Sequence, residues 1–201
     1  MIAIIDYGVG NLFSLHQSFL KIGADTVVTG DPSIIKSAER VILPGVGAYG
    51  EAAEKIKNTG LDKIVREVVS DGKPLLGICL GMQLLFEYGT EFGHNEGLGL
   101  LKGHVKTMRD EIADGLKLPQ IGWNALDIKK QNKLFKYINN GDHVYFVHSY
   151  HAVDCSDSLI ATTEYGAEIT AAVARDNVYG CQFHPEKSGD VGLKILKGFL
   201  D

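Results

Sequence analysis

The chain has 201 residues, of which 45% are hydrophobic, and its formal net charge is −5. This length suffices for one sizeable hydrophobic core, so we expect a single domain over residues 1–201. The acidic balance gives no reason to expect a nucleic-acid partner, and no apolar run approaches the length of a membrane span. Because the first apolar run is too short for a secretory signal, we expect a cytoplasmic protein.

The first half of the chain alternates between apolar strands and helices. Strands that are apolar throughout and separated by helices indicate a parallel sheet covered on both faces. The predicted elements, in chain order, are strand 2–6, helix 11–22, strand 26–29, a short helical stretch, strand 40–43, helices 51–58 and 61–70, strand 75–78 and an amphipathic helix 80–88.

The second half consists mainly of short strand-like runs, which predict an antiparallel or mixed extension of the sheet. Asp176 and Asn177 have the composition of a hairpin turn between the last two runs. The runs cover residues 98–108, 125–128, 144–147, 151–153, 159–164, 170–175 and 178–183, and a helix over 191–200 closes the chain.

The most specific feature is a cysteine between a strand and a helix. Cys79 follows an apolar strand and has Gly77 and Gly81 on either side. This is the setting of a nucleophile elbow, where the backbone is strained and flanking side chains would crowd the nucleophile. The positive end of the helix dipole would favour the thiolate. We therefore predict a reactive Cys79 and packing roles for Cys155 and Cys181, which lack such a setting.

His184 and Glu186, in the sequence His-Pro-Glu, offer a base and an orienting carboxylate for that thiol. His184 ends an apolar strand, and the carboxyl ends of parallel strands line the functional crevice, so it can meet Cys79 there. Acyl transfer needs a base that takes the thiol proton and returns it to the leaving group, and a carboxylate that fixes the imidazole tautomer. His148 also ends a strand and is the strongest rival base.

Two other kinds of site fit the sequence less well. Residues 45–50 match the G-x-G-x-x-G pattern of a nucleotide loop, but the loop follows the third strand, and the acidic residue about twenty positions on falls at the end of a helix. The same glycines can present an N–H to a developing oxyanion, with the N–H of Leu80 as second donor. The three cysteines are too widely spaced for a zinc site, so we expect no metal and no other cofactor.

Several motifs together resemble those of the class I (triad) glutamine amidotransferase family, and more narrowly the glutaminase subunits of imidazole glycerol phosphate synthase. The cysteine elbow and His-Pro-Glu are shared by many triad amidotransferases, and the other motifs point to the narrower group. The resemblance covers nearly the whole chain and implies a flavodoxin-like α/β fold with a mostly parallel central sheet. Its carriers are residues 6–12, 44–47, 77–86, 121–124, 148–150 and 182–188.

The resemblance implies a glutaminase mechanism. The Cys79 thiolate attacks the side-chain amide of glutamine, His184 protonates the leaving ammonia, and Glu186 orients His184 while water hydrolyses the resulting thioester. The implied oxyanion donors are N–H groups of Leu80, Gly45, Val46 and Gly47. The residues that resemble the family's glutamine-binding segments are Gln83, His148, Ser149 and Tyr150.

The resemblance also implies a heterodimer with a (β/α)8-barrel cyclase, which uses the ammonia to make imidazole glycerol phosphate and aminoimidazole carboxamide ribotide in histidine biosynthesis. Free ammonia would be lost in water, so we expect a channel and a glutaminase that stays idle until the partner is loaded. Our hypothesis places the switch at the Gly45–Val46 peptide, since glycine permits a peptide flip. The implied interface positions are Asn11, Trp123, Tyr145 and Lys187.

Gly122 and Asn124 predict an irregular, exposed segment around Trp123, where an aromatic anchor is typical of an interface hot spot. Three alternatives remain open. The same chemistry could serve a synthase that makes anthranilate, pyridoxal phosphate or GMP. Residues 45–50 could belong to a nucleotide-binding module. The chain could also be a non-catalytic interaction subunit, although a scaffold needs none of Cys79, His184 and Glu186.

Overall fold

The computed structural model describes all 201 residues, with fourteen strands and six α-helices. The strands are β1 (Ile2–Ile5), β2 (Thr26–Thr29), β3 (Arg40–Leu43), β4 (Leu75–Ile78), β5 (Tyr88–Gly89), β6 (Asn95–Glu96), β7 (His104–Thr107), β8 (Gln120–Ala125), β9 (Asp127–Ile128), β10 (His143–His148), β11 (Tyr150–Val153), β12 (Leu159–Glu164), β13 (Glu168–Arg175) and β14 (Val178–Cys181). The helices are α1 (Leu12–Lys21), α2 (Pro32–Ser37), α3 (Tyr49–Asn58), α4 (Leu61–Ser70), α5 (Leu80–Gln83) and α6 (Gly189–Leu200). None of these helices has the length and apolar character needed to span a bilayer.

An eight-stranded sheet forms the centre of the molecule, in the order β2-β1-β3-β4-β14-β13-β12-β9. The first five strands are parallel, and the last three continue the sheet in antiparallel pairs, joined at β13–β14 by the predicted turn. The predicted α/β class, a mostly parallel sheet with an antiparallel extension, is confirmed. Strand β14 comes late in the chain yet pairs in parallel with β4, which places Cys181 opposite Ile78.

Strands β1 and β4 are apolar and buried throughout because helices cover both faces of the sheet, whereas the edge strand β2, with a threonine at each end, is only partly buried. In β1, Ala3 and Ile5 face a core that includes residues of α2 to α5, whereas Ile2 and Ile4 face a second core with α1 and α6. Alternate residues of an extended strand point to opposite faces, so one four-residue strand serves both cores. Packing on both faces therefore holds the ends of these strands in place, and with them the residues that follow each strand.

Helix α5 is shorter than predicted and is not amphipathic. It ends at Gln83, its four residues are all buried, and strand β5 occupies the predicted end of the helix. The carbonyl groups of Leu84, Leu85 and Phe86 accept hydrogen bonds from N–H groups of residues 98–101 and so cannot continue a helix. The same bonds engage the beginning of the predicted strand 98–108, of which only β7 forms a strand.

Two smaller sheets complete the fold: β11-β7-β5-β6 and the antiparallel pair β8-β10. Trp123 lies within regular strand β8, so the predicted irregular segment is wrong. Its exposure was predicted correctly, since Trp123 is 52% exposed. Gly122 has φ +140°, a value that L side chains rarely adopt, and this explains a glycine inside the strand.

Candidate active site

Cys79 follows β4 in a strained backbone conformation, with φ 54° and ψ −112°. A non-glycine residue in such a region costs about 1–3 kcal/mol, so the surrounding structure must hold it in place. The neighbouring glycines allow this. A Cβ on Gly81 would lie 1.8 Å from the carbonyl oxygen of Leu43, and a Cβ on Gly77 would lie 2.7 Å from the carbonyl oxygen of Gly81. The tight strand-to-helix turn that the sequence predicts is present.

His184 and Glu186 form a buried pair beside the thiol. Nδ1 of His184 lies 2.8 Å from Oε1 of Glu186, and the side chains are 2% and 1% exposed. Burial disfavours a charged imidazole, but the Cys79 sulfur and the Glu186 carboxylate outweigh it and raise the pKa of His184 to about 10. At neutral pH the ring is therefore an imidazolium. Its Nε2 is buried and makes no hydrogen bond of normal geometry, so it is free for proton exchange.

The pair of His184 and Glu186, and not the dipole of helix α5, is the main influence that favours the thiolate of Cys79. Helix α5 is a single turn of four residues, and so few aligned peptides give only a weak macrodipole. An imidazolium beside the sulfur of Cys79 favours the thiolate more directly.

A cavity of about 380 Å³ opens onto Cys79 and His184. It brings together most of the predicted residues, since its lining includes Val46, Gly47, Cys79, Leu80, Gln83, His148, Ser149, Tyr150, His184 and Lys187. Glu186 does not line it and contacts His184 from the side of Nδ1. Gly45 does not line it either, because it packs on the elbow, where its Cβ would lie 2.8 Å from the nitrogen of Gly81.

The predicted oxyanion donors have no acceptor inside the protein. The N–H of Cys79 is bonded to the carbonyl of Cys181 at 2.8 Å and is therefore not available. By contrast, no hydrogen bond within the chain uses the N–H groups of Leu80, Gly45, Val46 and Gly47. Gly47 has φ +95° and no atom within 4 Å of the position of a Cβ, so a side chain there would meet no neighbour.

Glu91 also lines the cavity, although no sequence motif marks it. Its Oε2 accepts a hydrogen bond of 2.7 Å from the N–H of Tyr49, at the start of α3. If the glycine-rich loop bound a phosphate, the phosphate would accept hydrogen bonds from the N–H groups at the start of α3. The carboxylate of Glu91 already occupies that position. Gly50 of the same loop is packed too, because its Cβ would lie 2.8 Å from Oδ1 of Asn95. The helix start that a nucleotide phosphate would use is therefore already occupied.

His148 lines the cavity with a different partner. Its Nδ1 lies 2.8 Å from the carbonyl oxygen of Tyr150 and donates to it, and its Nε2 is buried without a partner. Burial lowers the pKa of His148 to about 4, so the ring is neutral at pH 7. The carboxylate of Glu186 pairs with His184 and not with His148, which leaves His184 as the better candidate for the base.

Three of the predicted interface residues lie together. Trp123 on β8 is the cross-strand partner of Tyr145 on β10, with ring centroids 6.1 Å apart, and Nζ of Lys187 lies 5.9 Å from the centre of the Tyr145 ring. Asn11 precedes α1, which packs on the turn Pro185–Lys187. An exposed aromatic surface thus adjoins the cavity through Lys187.

Known proteins resemble this chain over its whole length. Residues 3–201 match the family model for class-I glutamine amidotransferases. The protein "Imidazole glycerol phosphate synthase subunit HisH" of Sulfurimonas denitrificans is 50% identical over 202 residues, which cover 99% of this chain and 97% of that protein. The protein of the same name from Caldanaerobacter subterraneus subsp. tengcongensis is 50% identical over 200 residues, with the same two coverages.

Solved structures share the fold at low sequence identity. A glutamine amidotransferase has a TM-score of 0.76 at 17% identity, over 100% of both chains. PurLQS from Thermotoga maritima has a TM-score of 0.72 at 20% identity, covering 99% of this chain and 96% of that one. The shared fold shows only the general architecture, whereas the relatives that are 50% identical over nearly their whole length identify a narrower group. The chain belongs to the class-I glutamine amidotransferase family, among the HisH subunits of imidazole glycerol phosphate synthase.

Proposed function

We propose that Cys79, His184 and Glu186 hydrolyse glutamine in the 380 Å³ cavity and that the ammonia passes to a cyclase subunit. The observation that carries this proposal is the buried pair of His184 and Glu186 beside a thiol held on a strained turn. A scaffold needs none of these groups, and holding two ionised side chains out of water costs free energy.

The reaction proceeds in two halves. The Cys79 thiolate attacks the carboxamide carbon of glutamine, and the tetrahedral oxyanion is held by the N–H of Leu80 and an N–H of residues 45–47. His184 gives its proton to the departing nitrogen, which leaves as ammonia, and a glutamyl thioester remains. His184 then takes a proton from water, the hydroxide attacks the thioester, and glutamate and the thiolate are released.

The cavity lining suggests how glutamine is held. Glu91 is the only carboxylate in the lining, and its attachment to the start of α3 fixes its position. A fixed carboxylate suits the α-ammonium group of the substrate. Gln83 and the segment 148–150 then contact the rest of the molecule, as the resemblance implies.

Substitution of Cys79 tests the proposal. Cys79→Ala should abolish glutamine hydrolysis, while the complex with the cyclase should still make its products from added ammonia. Cys155→Ala is the matched control, because Cys155 is equally buried, at 5% against 7%, and lies outside the cavity lining. Hydrolysis that survives in Cys79→Ala would contradict the proposal, as would loss of the ammonia-dependent reaction.

The partner is proposed to be a (β/α)8-barrel cyclase that forms a heterodimer with this chain. The names of the half-identical relatives favour imidazole glycerol phosphate synthase over the synthases of anthranilate, pyridoxal phosphate or GMP. Co-purification of this chain with a chorismate-using enzyme would contradict the choice.

The switch hypothesis is better tested at Gly47 than by Gly45→Ala. A Cβ on Gly45 would lie 2.8 Å from the nitrogen of Gly81 and 2.9 Å from Oη of Tyr7, so this variant would also disturb the elbow. Gly47→Ala changes only the backbone preference, because nothing lies within 4 Å of its Cβ position. If residues 45–47 switch, the ratio of partner-stimulated to basal hydrolysis should change in Gly47→Ala, and an unchanged ratio would place the switch elsewhere.

A further inference from the structure

A buried glutamine contacts the sulfur of Cys79. Gln182 directly follows β14 in the chain and is completely buried. Its Nε2 lies 3.7 Å from Sγ of Cys79, and His184 follows two residues later. The backbone N–H of Gln182 is bonded to the carbonyl of Ala171 on β13 at 2.8 Å, so its backbone belongs to the central sheet. The side chain is thus held on a rigid element.

A chain of hydrogen bonds determines which end of this amide faces the sulfur. The carbonyl oxygen of Tyr150 can only accept, so the side-chain atom of Gln83 that lies 3.0 Å from it must be Nε2. The same Nε2 lies 3.0 Å from the amide of Gln182, and the atom that it meets there must therefore be Oε1. The other end of Gln182, its N–H donor, is left to point at the sulfur.

We propose that Gln182 stabilises the thiolate of Cys79 by an N–H···S hydrogen bond, and that Gln83 keeps this donor turned toward the sulfur. A hydrogen bond to the charged form of a group favours that form, and a charge-assisted bond in a buried site is stronger than a neutral one. The thiolate then has two supports, the His184 imidazolium and the Gln182 amide. This inference rests on the proposed role of Cys79 as nucleophile.

The arrangement also ties the nucleophile to the substrate pocket. Gln83 and Tyr150 line the cavity, and both belong to the chain of bonds that fixes Gln182. Displacement of either residue would free the Gln182 amide to rotate, and its carbonyl oxygen would then face the thiolate and oppose it. The thiolate should therefore be most stable when the pocket is correctly formed.

Two variants separate the donor from the rest of the side chain. Gln182→Met has a similar size but neither donor nor acceptor. Gln182→Glu keeps an acceptor for Gln83, so the pocket side of the chain of bonds is preserved, and it replaces the N–H by a carboxylate oxygen that repels a thiolate.

The readout is the rate of alkylation by iodoacetamide as a function of pH, because only the thiolate reacts. We expect the pH of the half-maximal rate to move up by about one unit in Gln182→Met, which lowers the rate about tenfold at any pH well below both midpoints. Gln182→Glu should show a larger shift in the same direction. Cys79→Ala gives the background from the other two thiols.

Gln120→Met is the matched control, because Gln120 is also a completely buried glutamine, and its side chain is bonded to Asn124 at 3.0 Å and makes no hydrogen bond to Cys79. It should alkylate like the unmodified protein. Urea unfolding identifies any variant that has not folded, and if Gln182→Met fails to fold, the polar Gln182→Glu carries the test. An unchanged pH profile in the folded Gln182 variants would overturn the inference. Glutaminase activity in Cys79→Ala would instead overturn the proposed function, so the two failures are distinguishable.

Discussion

The charge of His184 is set by groups that only a folded chain can bring together. Burial alone would keep this imidazole neutral, as it does for His148 in the same cavity. The difference is the partner: His148 donates to a carbonyl, whereas His184 lies between the Glu186 carboxylate and the Cys79 sulfur. Two histidines in one cavity are therefore held in opposite protonation states, one suited to donate a proton and one not.

Removal of the negative charge of Glu186 should leave His184 less able to support catalysis. In Glu186→Gln the side chain can still accept from Nδ1 of His184, but it no longer favours the imidazolium, so the thiolate loses support. We expect kcat for glutamine hydrolysis to fall by at least about 100-fold. Steady-state assays of glutamate release measure this effect.

Glu96→Gln is the control for that variant. Nε2 of His94 lies 3.0 Å from Oε1 of Glu96, but these side chains are 60% and 78% exposed and outside the cavity. Solvent screens such a pair, so its loss should leave hydrolysis unchanged. Equal losses of kcat in the two variants would contradict a specific role for Glu186.

The buried neutral His148 should make stability depend on pH. Its pKa is about 4 in the folded protein and 6.5 as a free group. Between these values the unfolded chain binds a proton that the folded chain does not, so the free energy of unfolding falls as the pH drops from 6.5 to 4. The gap corresponds to about 3 kcal/mol at most.

His148→Gln isolates this contribution. The variant has no group to titrate at this position, so its free energy of unfolding should fall less steeply with acid than that of the unmodified protein. His151, whose pKa burial also lowers, is retained in both proteins. Urea unfolding at pH 7 and pH 4.5 measures both slopes, and identical slopes would refute the assignment.

At the scale of secondary structure, the site is built where two parallel strands end side by side. Strand β4 ends one residue before Cys79, and its neighbour β14 ends three residues before His184. The bond from the Cys79 N–H to the carbonyl of Cys181 continues this ladder into the turn. The elbow is therefore an extension of the sheet, and its geometry depends on close contact with β3.

Within the contact between the elbow and β3, Gly81 should be the residue that tolerates substitution least. A Cβ in Gly81→Ala would lie 1.8 Å from the carbonyl oxygen of Leu43, a backbone atom that cannot move without disturbing β3. We expect the free energy of unfolding to fall by about 3 kcal/mol or more. Chemical denaturation gives this value.

Gly60→Ala separates this clash from ordinary backbone strain. Gly60 has a conformation that disfavours side chains, with φ +72°, but no atom lies within 4 Å of its Cβ position, whereas Gly81 has a close contact and no positive φ. The strain alone should cost about 1 kcal/mol. If the two variants lose similar stability, close packing at the elbow is not what requires Gly81.

At the scale of the whole molecule, the aromatic surface on β8 and β10 is the candidate docking site for the cyclase. The ring of Trp123 is half exposed, and Ile121 on the same face of β8 is 61% exposed. Lys187 belongs both to this surface and to the cavity lining, so a partner bound here would touch residues next to the cavity that holds Cys79.

Trp123→Ala should weaken the complex without unfolding the chain. A central aromatic anchor contributes about 2 kcal/mol or more, which is about a 30-fold rise in Kd for the cyclase. Because Trp123 is half exposed, the free energy of unfolding should change by less than about 1 kcal/mol. Titration calorimetry with the purified cyclase gives the Kd.

Leu20→Ala provides the comparison. Leu20 is 47% exposed, close to the value for Trp123, but it lies in the last turn of α1, away from the patch on β8 and β10. Its Kd should equal that of the unmodified chain. If Trp123→Ala binds as tightly as Leu20→Ala, the docking surface is elsewhere.

Features that are local along the chain could be predicted from the amino-acid sequence alone. Apolar runs and helical periodicity predicted the parallel half of the sheet, and the glycines around Cys79 predicted its strained turn. The motifs also identified the family, because they are short and specific. Most of the predicted catalytic, oxyanion and glutamine-binding residues line the cavity. They follow the ends of strands, and strand ends are easy to locate once the strands are known.

Contacts between residues far apart in the chain depend on the folded arrangement and could not be predicted from the sequence. The insertion of β14 beside β4 brings Gln182 and His184 to Cys79, and the loop after β5 brings Glu91 to the cavity. The early end of α5 has the same origin, because residues 98–101 compete for its carbonyl groups. Such contacts depend on strand order and side-chain packing, which residues far apart in the chain settle jointly and no local pattern records.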